Sequence, residues 1–484
     1  MKAFALLVVC GCDQLFGLDT VPPVTADAAI DAGPRTVACD YLWHVIANDS
    51  QGAPSASVLA APVGYAHVSV GGVELPIAGD GTFSFEAAPG PYELLVTTPT
   101  DVVHYIRDSD TCHLVTPTFH RLAAAQPTVV TPVNVTTTTQ PPATGFVRYL
   151  STGLRAVVAA PFVGGTTYSA DWNAAVENDG TSAGLLSAAA NDRLYWTHFV
   201  PFATYDTLVE AGVAAVTLVN GQTTAVQMTP TAVPQRCATV QTHDLAITKA
   251  IADASPRSNG SAAGAWAIVS TPMPSEGPGE GHVVAFGTSL VATDDSLQVT
   301  YGNPFPGESD MLQTAASVTW SVANGAATPY PIYGTLNAWV VFTGDPSSAC
   351  SATVAVPQPI AIVDQFAVAG TALTTDVEAL TIDRGHPVPV SLGVTPGAWD
   401  ALAVYLYEVT AVNGATTLSY VAAYMPLDRD FMIDPSLLLV GHQYLLIAYA
   451  RAGTPLARTM FDQRAYANPS VQSTMPSLSF TIAN

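Results

Sequence analysis

Apolar and polar residues alternate in short runs along most of this chain, and turns containing Gly or Pro separate the runs. Ala66-His-Val-Ser-Val leads into Gly71-Gly72, and Val73-Glu-Leu-Pro-Ile follows. Gly79-Asp80-Gly81 then opens Thr82-Phe83-Ser84-Phe85, and Ala88-Pro89-Gly90 opens Tyr92-Glu93-Leu94-Leu95-Val96. A period of two places alternate side chains on opposite faces, so each run reads as a strand with one face buried. Further on, Ala214 to Val219 and Gln222 to Met228 alternate on either side of Asn220-Gly221, the strongest short-range hairpin signal. Ala265 to Val269, His282 to Phe286, Leu297 to Tyr301, Ala316 to Val322 and Leu336 to Phe342 continue the pattern. So do Pro387 to Leu392, Ala403 to Val409, Thr417 to Tyr424 and Tyr444 to Ala450, with Asn413-Gly414 turning between two of them. Helical turns are predicted only at 174–176, 187–190 and 244–253. The expected fold class is all-β, a tandem array of antiparallel β-sandwiches.

The runs fall into four blocks, expected at 38–125, 143–234, 235–355 and 356–484. Residues 126–142, rich in Pro and Thr, read equally well as a linker or as an edge strand. No internal repeat marks the blocks as copies of one another. In the first block, Asp80-Gly-Thr-Phe-Ser-Phe and Pro89-Gly-Pro-Tyr-Glu-Leu-Leu-Val resemble the carboxypeptidase-regulatory, transthyretin-like β domain. That resemblance implies a fold and no activity. In the fourth, Leu437-Leu-Leu-Val-Gly-His-Gln-Tyr444 resembles the approach to strand F of fibronectin type III-like, Ig-like sandwiches. It implies that Tyr444 is a tyrosine-corner residue, its hydroxyl bonded to nearby backbone.

The N-terminus follows another pattern. Lys2 precedes a short apolar run, Ala3 to Val9, and Val9-Cys10-Gly11-Cys12 follows. The run is far too short to span a bilayer as a helix and reads as a targeting signal. It resembles the lipobox of bacterial lipoproteins, which implies that Cys12 is the lipidated residue at residues 1–12, with Cys10 as the bulkier-flanked competitor. Residues 13–37, rich in Pro, Ala, Asp and Thr, read as a flexible tether. The expected location is the cell envelope, lipid-anchored and open to surface exposure, with the inner or outer membrane left undecided by Asp13.

Composition sharpens this picture. The 484 residues carry a formal net charge of −23, with 15 basic against 38 acidic side chains. Lys occurs only at Lys2 and Lys249. Phosphate binding needs Lys or Arg to release counterions, so a nucleic-acid partner is excluded. Past the signal stand Cys39, Cys112, Cys237 and Cys350. Four cysteines allow three pairings. Cys39–Cys112 and Cys237–Cys350 are favoured because each pair brackets one block of strands.

Chemistry is sparse. His104, His113 and His120 lie near Asp108, Asp110 and Cys112, but their spacing matches no tight metal site. Asp428, Asp430 and Asp434 lack the glycine and distal glutamate of a calcium loop, and Asp294-Asp295 reads as an exposed turn. No nucleophile elbow or zinc-protease motif occurs, although His243-Asp244 and scattered serines leave a dispersed triad open. Trp172, Tyr195-Trp196, Trp266, Trp320, Trp339 and Trp399 are candidates for stacking on sugar rings, or else core packing. No cofactor, metal or catalytic residue is expected. The sequence reads as a structural, adhesive or binding protein of the envelope, with protein or glycan surface ligands. The alternative is a carbohydrate- or peptidoglycan-binding accessory protein, followed by a hydrolase with a cryptic triad.

Overall fold

The strand Arg35–Asn48 shows how each block is built. Val37, Cys39, Tyr41 and Val45 alternate onto its buried face. One edge pairs antiparallel with Thr82–Ala87 and then with Pro54–Ala60. The other edge pairs in parallel with Thr111–Thr118, the closing strand of the block. In this computed structural model, residues 33–483 are described apart from internal segments, the longest being 273–279, 288–295 and 454–469. The strand begins at Arg35, so the last residues of the expected tether belong to the first sheet; residues 13–32 lie outside the described residues.

The same plan recurs. Pro132–Thr137 lies between Thr167–Asp171, antiparallel, and Thr224–Met228, parallel. Gln235–Gln241 lies between Ser296–Gly302, antiparallel, and Thr353–Ala355, parallel. In each case the opening strand of a block takes a strand from the end of that block as its parallel neighbour. The fourth block varies this, with Phe480–Ile482 accepting Glu378–Leu380 in parallel. The repeat therefore exists in topology, where no sequence repeat announced it. It also decides the ambiguous stretch 126–142: Pro132–Thr137 is a central strand of the second block, neither linker nor edge.

Both disulfides use this plan. Cys39 and Cys112 face each other in register across the parallel pair and are bonded. Cys237 bonds Cys350, just ahead of the closing strand Thr353–Ala355. Each bridge staples the first strand of a block to its end, as expected from the bracketing.

Opposite these small sheets runs a 20-stranded sheet that passes through all four blocks. Its order is first, fourth, third, second, and not chain order. Val102–Arg107 of the first block pairs in parallel with Ala415–Met425 of the fourth. Ser470–Pro476 of the fourth pairs with Tyr330–Phe342 of the third. Glu280–Gly287 of the third pairs with Tyr205–Ala215 of the second. The sheet ends on the short strands Val73–Leu75 and Val176–Glu177, and short edges resist edge-to-edge aggregation. Buried Arg257 adds a further tie between third and fourth blocks, donating from Nε and Nη2 to the Ser477 carbonyl at 3.1 and 2.8 Å.

Asn220-Gly221 corrects the hairpin expectation. The two residues do form a turn, with Gly221 at φ +74°. The flanking strands, however, enter different sheets: Tyr205–Ala215 joins the long sheet, and Thr224–Met228 pairs with Pro132–Thr137. Val216 and Leu218 are buried where the chain crosses between layers. The turn is held by Thr128, whose backbone N–H donates to Asn220 Oδ1 at 3.0 Å, and by Gly221 N–H donating to Thr131 Oγ1 at 3.0 Å.

Several turns depend on ionised aspartates. Asp345 accepts from the Ser351 hydroxyl and backbone N–H and from the Ser347 backbone N–H, which holds its carboxyl well below the usual range. Thr82 does the same for Asp80 from the far side of Gly81, whose added Cβ would lie 2.7 Å from the Tyr41 carbonyl oxygen. A carboxyl with a lowered folded pKa contributes stability above its unfolded pKa, and that contribution is lost as pH falls through the folded value. The urea midpoint is therefore expected to stay level from pH 7 to 5 and to fall below about pH 4. A midpoint unchanged down to pH 2 would show that these turns carry no such linkage.

Candidate functional site

The seam between the first and fourth blocks is where side chains of distant sequence converge. The parallel register sets Val103, His104 and Tyr105 beside Ala423, Tyr424 and Met425. Ala403 and Met425 of the fourth block join the first block's core with Tyr41, Leu94 and Val96. The Arg107 guanidinium is buried and donates from Nη1 to the Met425 carbonyl at 2.8 Å. That burial lowers its pKa to about 10, still leaving it protonated at neutral pH. The Tyr420 hydroxyl donates to the Val102 carbonyl at 2.8 Å, and Tyr405 packs edge-on to Tyr449 at 5.1 Å. Aromatic area and backbone-directed hydrogen bonds together close this junction.

A cleft of about 820 Å³ opens on the seam, between the first block's Tyr92–Thr97 side and two parts of the fourth block: the turn at 385–387, and the end of the strand Asp430–Ile433 with the turn that follows it. Glu86, Tyr92, Glu93, His104, His386 and Asp434 supply its polar lining. His104 is only 7% exposed, and its ring stacks on Tyr424 with centroids 4.5 Å apart and planes at 16°. The register of the parallel pair causes this contact, since the two residues are direct partners. His104 Nδ1 is paired with the Glu93 carboxylate; in the neutral ring this pairing puts the proton on Nδ1 and the lone pair on Nε2. Among the described residues, Nε2 is buried without a hydrogen-bond partner.

The surrounding carboxylates are held in place. Asp434 caps the short turn Pro435–Leu437, accepting from Ser436 N–H at 2.8 Å. The hydrogen bonds from Ser436 hold its carboxyl below the ordinary range. Glu86 accepts from the Thr36 hydroxyl at 2.6 Å. His386 pairs with Asp383 at 2.7 Å, and Asp383 is kept acidic chiefly by the Gly385 backbone N–H.

The structure separates the residues that sequence spacing had grouped. His104 meets Glu93, His113 meets Asp40 at 2.8 Å, and Asp108 and Asp110 both face Arg35. Cys112 is in its disulfide, and His120 lies outside the described residues. Asp428 bonds the neighbouring Arg429 N–H, Asp430 opens the strand Asp430–Ile433, and Asp434 is a cap, so the three share no site. No group of three metal-ligating side chains occurs among the described residues. Asp294, Asp295 and His243 lie outside them, and Asp244 opens the helix Asp244–Ala254.

Three of the six candidate tryptophans are interior. Trp172, Trp196 and Trp320 are fully buried and Tyr195 nearly so: the strands of Trp196, Tyr195 and Trp320 face the sandwich cores, and Trp172 opens the short turn Trp172–Ala174 over the second core. They cannot present a ring to a sugar. Trp339 and Trp399 are half-buried, and the Trp266 side chain is outside the described residues. The expected tyrosine corner is formed: Leu439 N–H donates to the Tyr444 hydroxyl at 2.7 Å. Sequence reasoning singled out His104 but not its cleft. Its true partners, Glu93 and Tyr424, come from one neighbouring strand and one distant block.

No protein-family model matches this sequence, and no curated protein does. Among solved structures, a DUF3823 family protein from Bacteroides ovatus aligns at 8% identity and TM-score 0.13, covering 64% of this chain and 97% of that one. A streptococcal ancillary pilin aligns at 10% identity and TM-score 0.12, over 68% and 100% of the two chains. A tetra-tandem repeat from the extending region of a large adhesion protein aligns at 11% identity and TM-score 0.11, over 92% and 99%. At such TM-scores none of them bears on what this chain does. No helix among the described residues is long and apolar enough to cross a membrane.

Proposed function

We propose that this protein is a cell-envelope lipoprotein, anchored through Cys12, whose linked sandwiches serve a structural or adhesive binding role. The observation that carries the binding half is the architecture itself. One hydrogen-bonded sheet joins all four blocks, and two disulfides tie the first strand of two of them to the end of the block. Such a body is suited to hold a surface in a fixed shape outside the cytosol, where disulfides persist. The acidic balance, −23 overall, keeps it soluble and away from anionic surfaces. The reading assigns no catalytic activity. Glycan stacking is a weaker reading, since three of its six candidate tryptophans are buried.

The anchor has a direct test. In a bacterial host, wild-type protein is expected in the membrane fraction and to incorporate a labelled fatty acid, while Cys12→Ser is expected in the soluble fraction without label. Acyl chains contribute about 0.8 kcal/mol per buried methylene, so losing them releases the protein. Retention and labelling of Cys12→Ser would move the anchor to Cys10 or remove it from the account.

A further inference from the structure

We propose that the cleft between the first and fourth blocks binds a guanidinium-bearing ligand, either a free alkylguanidine or an arginine side chain on an extended peptide. The inference rests on the binding half of the proposed function and is independent of the lipid anchor. Its first support is the balance of acceptors and donors. Glu86, Glu93 and Asp434 contribute carboxylates, His104 lines the cleft with its buried Nε2 unpartnered among the described residues, and no Lys or Arg lines it. A lining made chiefly of acceptors is complementary to a ligand made of donors. Guanidinium offers five N–H groups in a flat fork and can meet several separated acceptors at once, which a compact ammonium cannot.

The second support is His104. The ring is nine-tenths buried and lines the cleft; Glu93 holds one nitrogen, and the other has no hydrogen-bond partner among the described residues. Buried polar atoms are nearly always paired, so a site that leaves one open at a cleft has a place for a donor. The third is the apolar wall. Leu95, Met432 and Pro387 flank the acceptors, and Met432 is 53% exposed, a soft surface for an alkyl stem. The cleft's volume of about 820 Å³ falls within the range of ligand sites and is ample for an arginine with its flanking backbone.

Calorimetric titration of the full-length protein in detergent tests this with three probes: N-acetyl-arginine amide, agmatine, and N-acetyl-citrulline amide, the uncharged isostere of the first. Saturable binding of N-acetyl-arginine amide is expected, and the citrulline probe should bind at least about tenfold more weakly. Equal binding of agmatine points to a free guanidine as the ligand, and its failure points to a peptide. Glu93→Gln and Asp434→Asn keep shape and, for Asp434, the cap, and each is expected to weaken binding about tenfold. Cys12→Ser should bind as the wild type does, which separates failure of the anchor from failure of the cleft. Citrulline binding as tightly as arginine, affinities of both variants within about twofold of wild type, or no saturable heat from either guanidinium probe would overturn the proposal.

Discussion

Replacing Asp310 with alanine is expected to destabilise the third block by about 2–3 kcal/mol, the cost of removing a fully buried carboxylate that accepts three hydrogen bonds. Asp310 is fully buried on the strand Asp310–Val322, and three donors converge on it. Arg236 Nη1 reaches it at 3.1 Å, the Tyr301 hydroxyl at 2.7 Å and Asn303 Nδ2 at 2.8 Å. Arg236 and Tyr301 belong to the small sheet and Asp310 to the long one, so this carboxylate ties the two layers together. Burial, and then the Asp310 charge, hold the Tyr301 hydroxyl protonated far above its ordinary range. Without the carboxylate, the Tyr301 hydroxyl loses its buried acceptor and the partly exposed Arg236 loses this ion pair. Asp310→Asn, which keeps the shape and one acceptor, should cost roughly half as much. Urea unfolding followed by tryptophan fluorescence checks this, since Trp320 lies in the same core. A loss under about 1 kcal/mol for Asp310→Ala, the size of an ordinary substitution, would mean that this cluster is solvated.

Removing the second disulfide is expected to have a larger effect. Cys237 and Cys350 are 113 residues apart, and opening a loop of that length costs roughly 4–5 kcal/mol on the chain-entropy argument. Both cysteines are buried, so Cys237→Ala with Cys350→Ala leaves an apolar site and no stranded polar group. The predicted readout is a drop in urea midpoint confined to the third block, with the first block still closed by Cys39–Cys112. A double variant as stable as wild type would show that the ladder between Gln235–Gln241 and Thr353–Ala355 holds the block end without its staple.

What the sequence made legible was local. Thr82, Phe83, Ser84 and Phe85 alternate, and Phe83 and Phe85 are indeed the buried pair. Tyr444 stood at the right distance from its backbone partner. The cysteine pairing followed from what each pair bracketed. What was hidden involved partners far apart in the chain. Asn220-Gly221 specifies a turn, but turn chemistry is silent on whether the strands leaving it pair with each other or cross between layers. Val133 and Val135 are fully buried in a central strand, yet the Thr- and Pro-rich residues around them carry the composition of a linker. Val102–Arg107 and Ala415–Met425 meet through backbone hydrogen bonds, which any sequence supplies, so no side-chain pattern foretold their pairing. His104 was noticed as a potential ligand because of its sequence neighbours Asp108 and Asp110. Its role is set instead by Tyr424, which the parallel register brings alongside.

The order of blocks in the sheet, first beside fourth, is the feature on which the seam, the cleft and the guanidinium proposal all depend. An engineered cross-link tests it most directly. Val103 and Ala423 are register partners across the parallel pair. With Val103→Cys and Ala423→Cys introduced together, non-reducing peptide mapping should recover a disulfide linking positions 103 and 423 in the native protein, alongside the two natural bridges. Free thiols at both positions in a folded protein that retains Cys39–Cys112 and Cys237–Cys350 would contradict the joined sheet and leave the first block separate from the fourth.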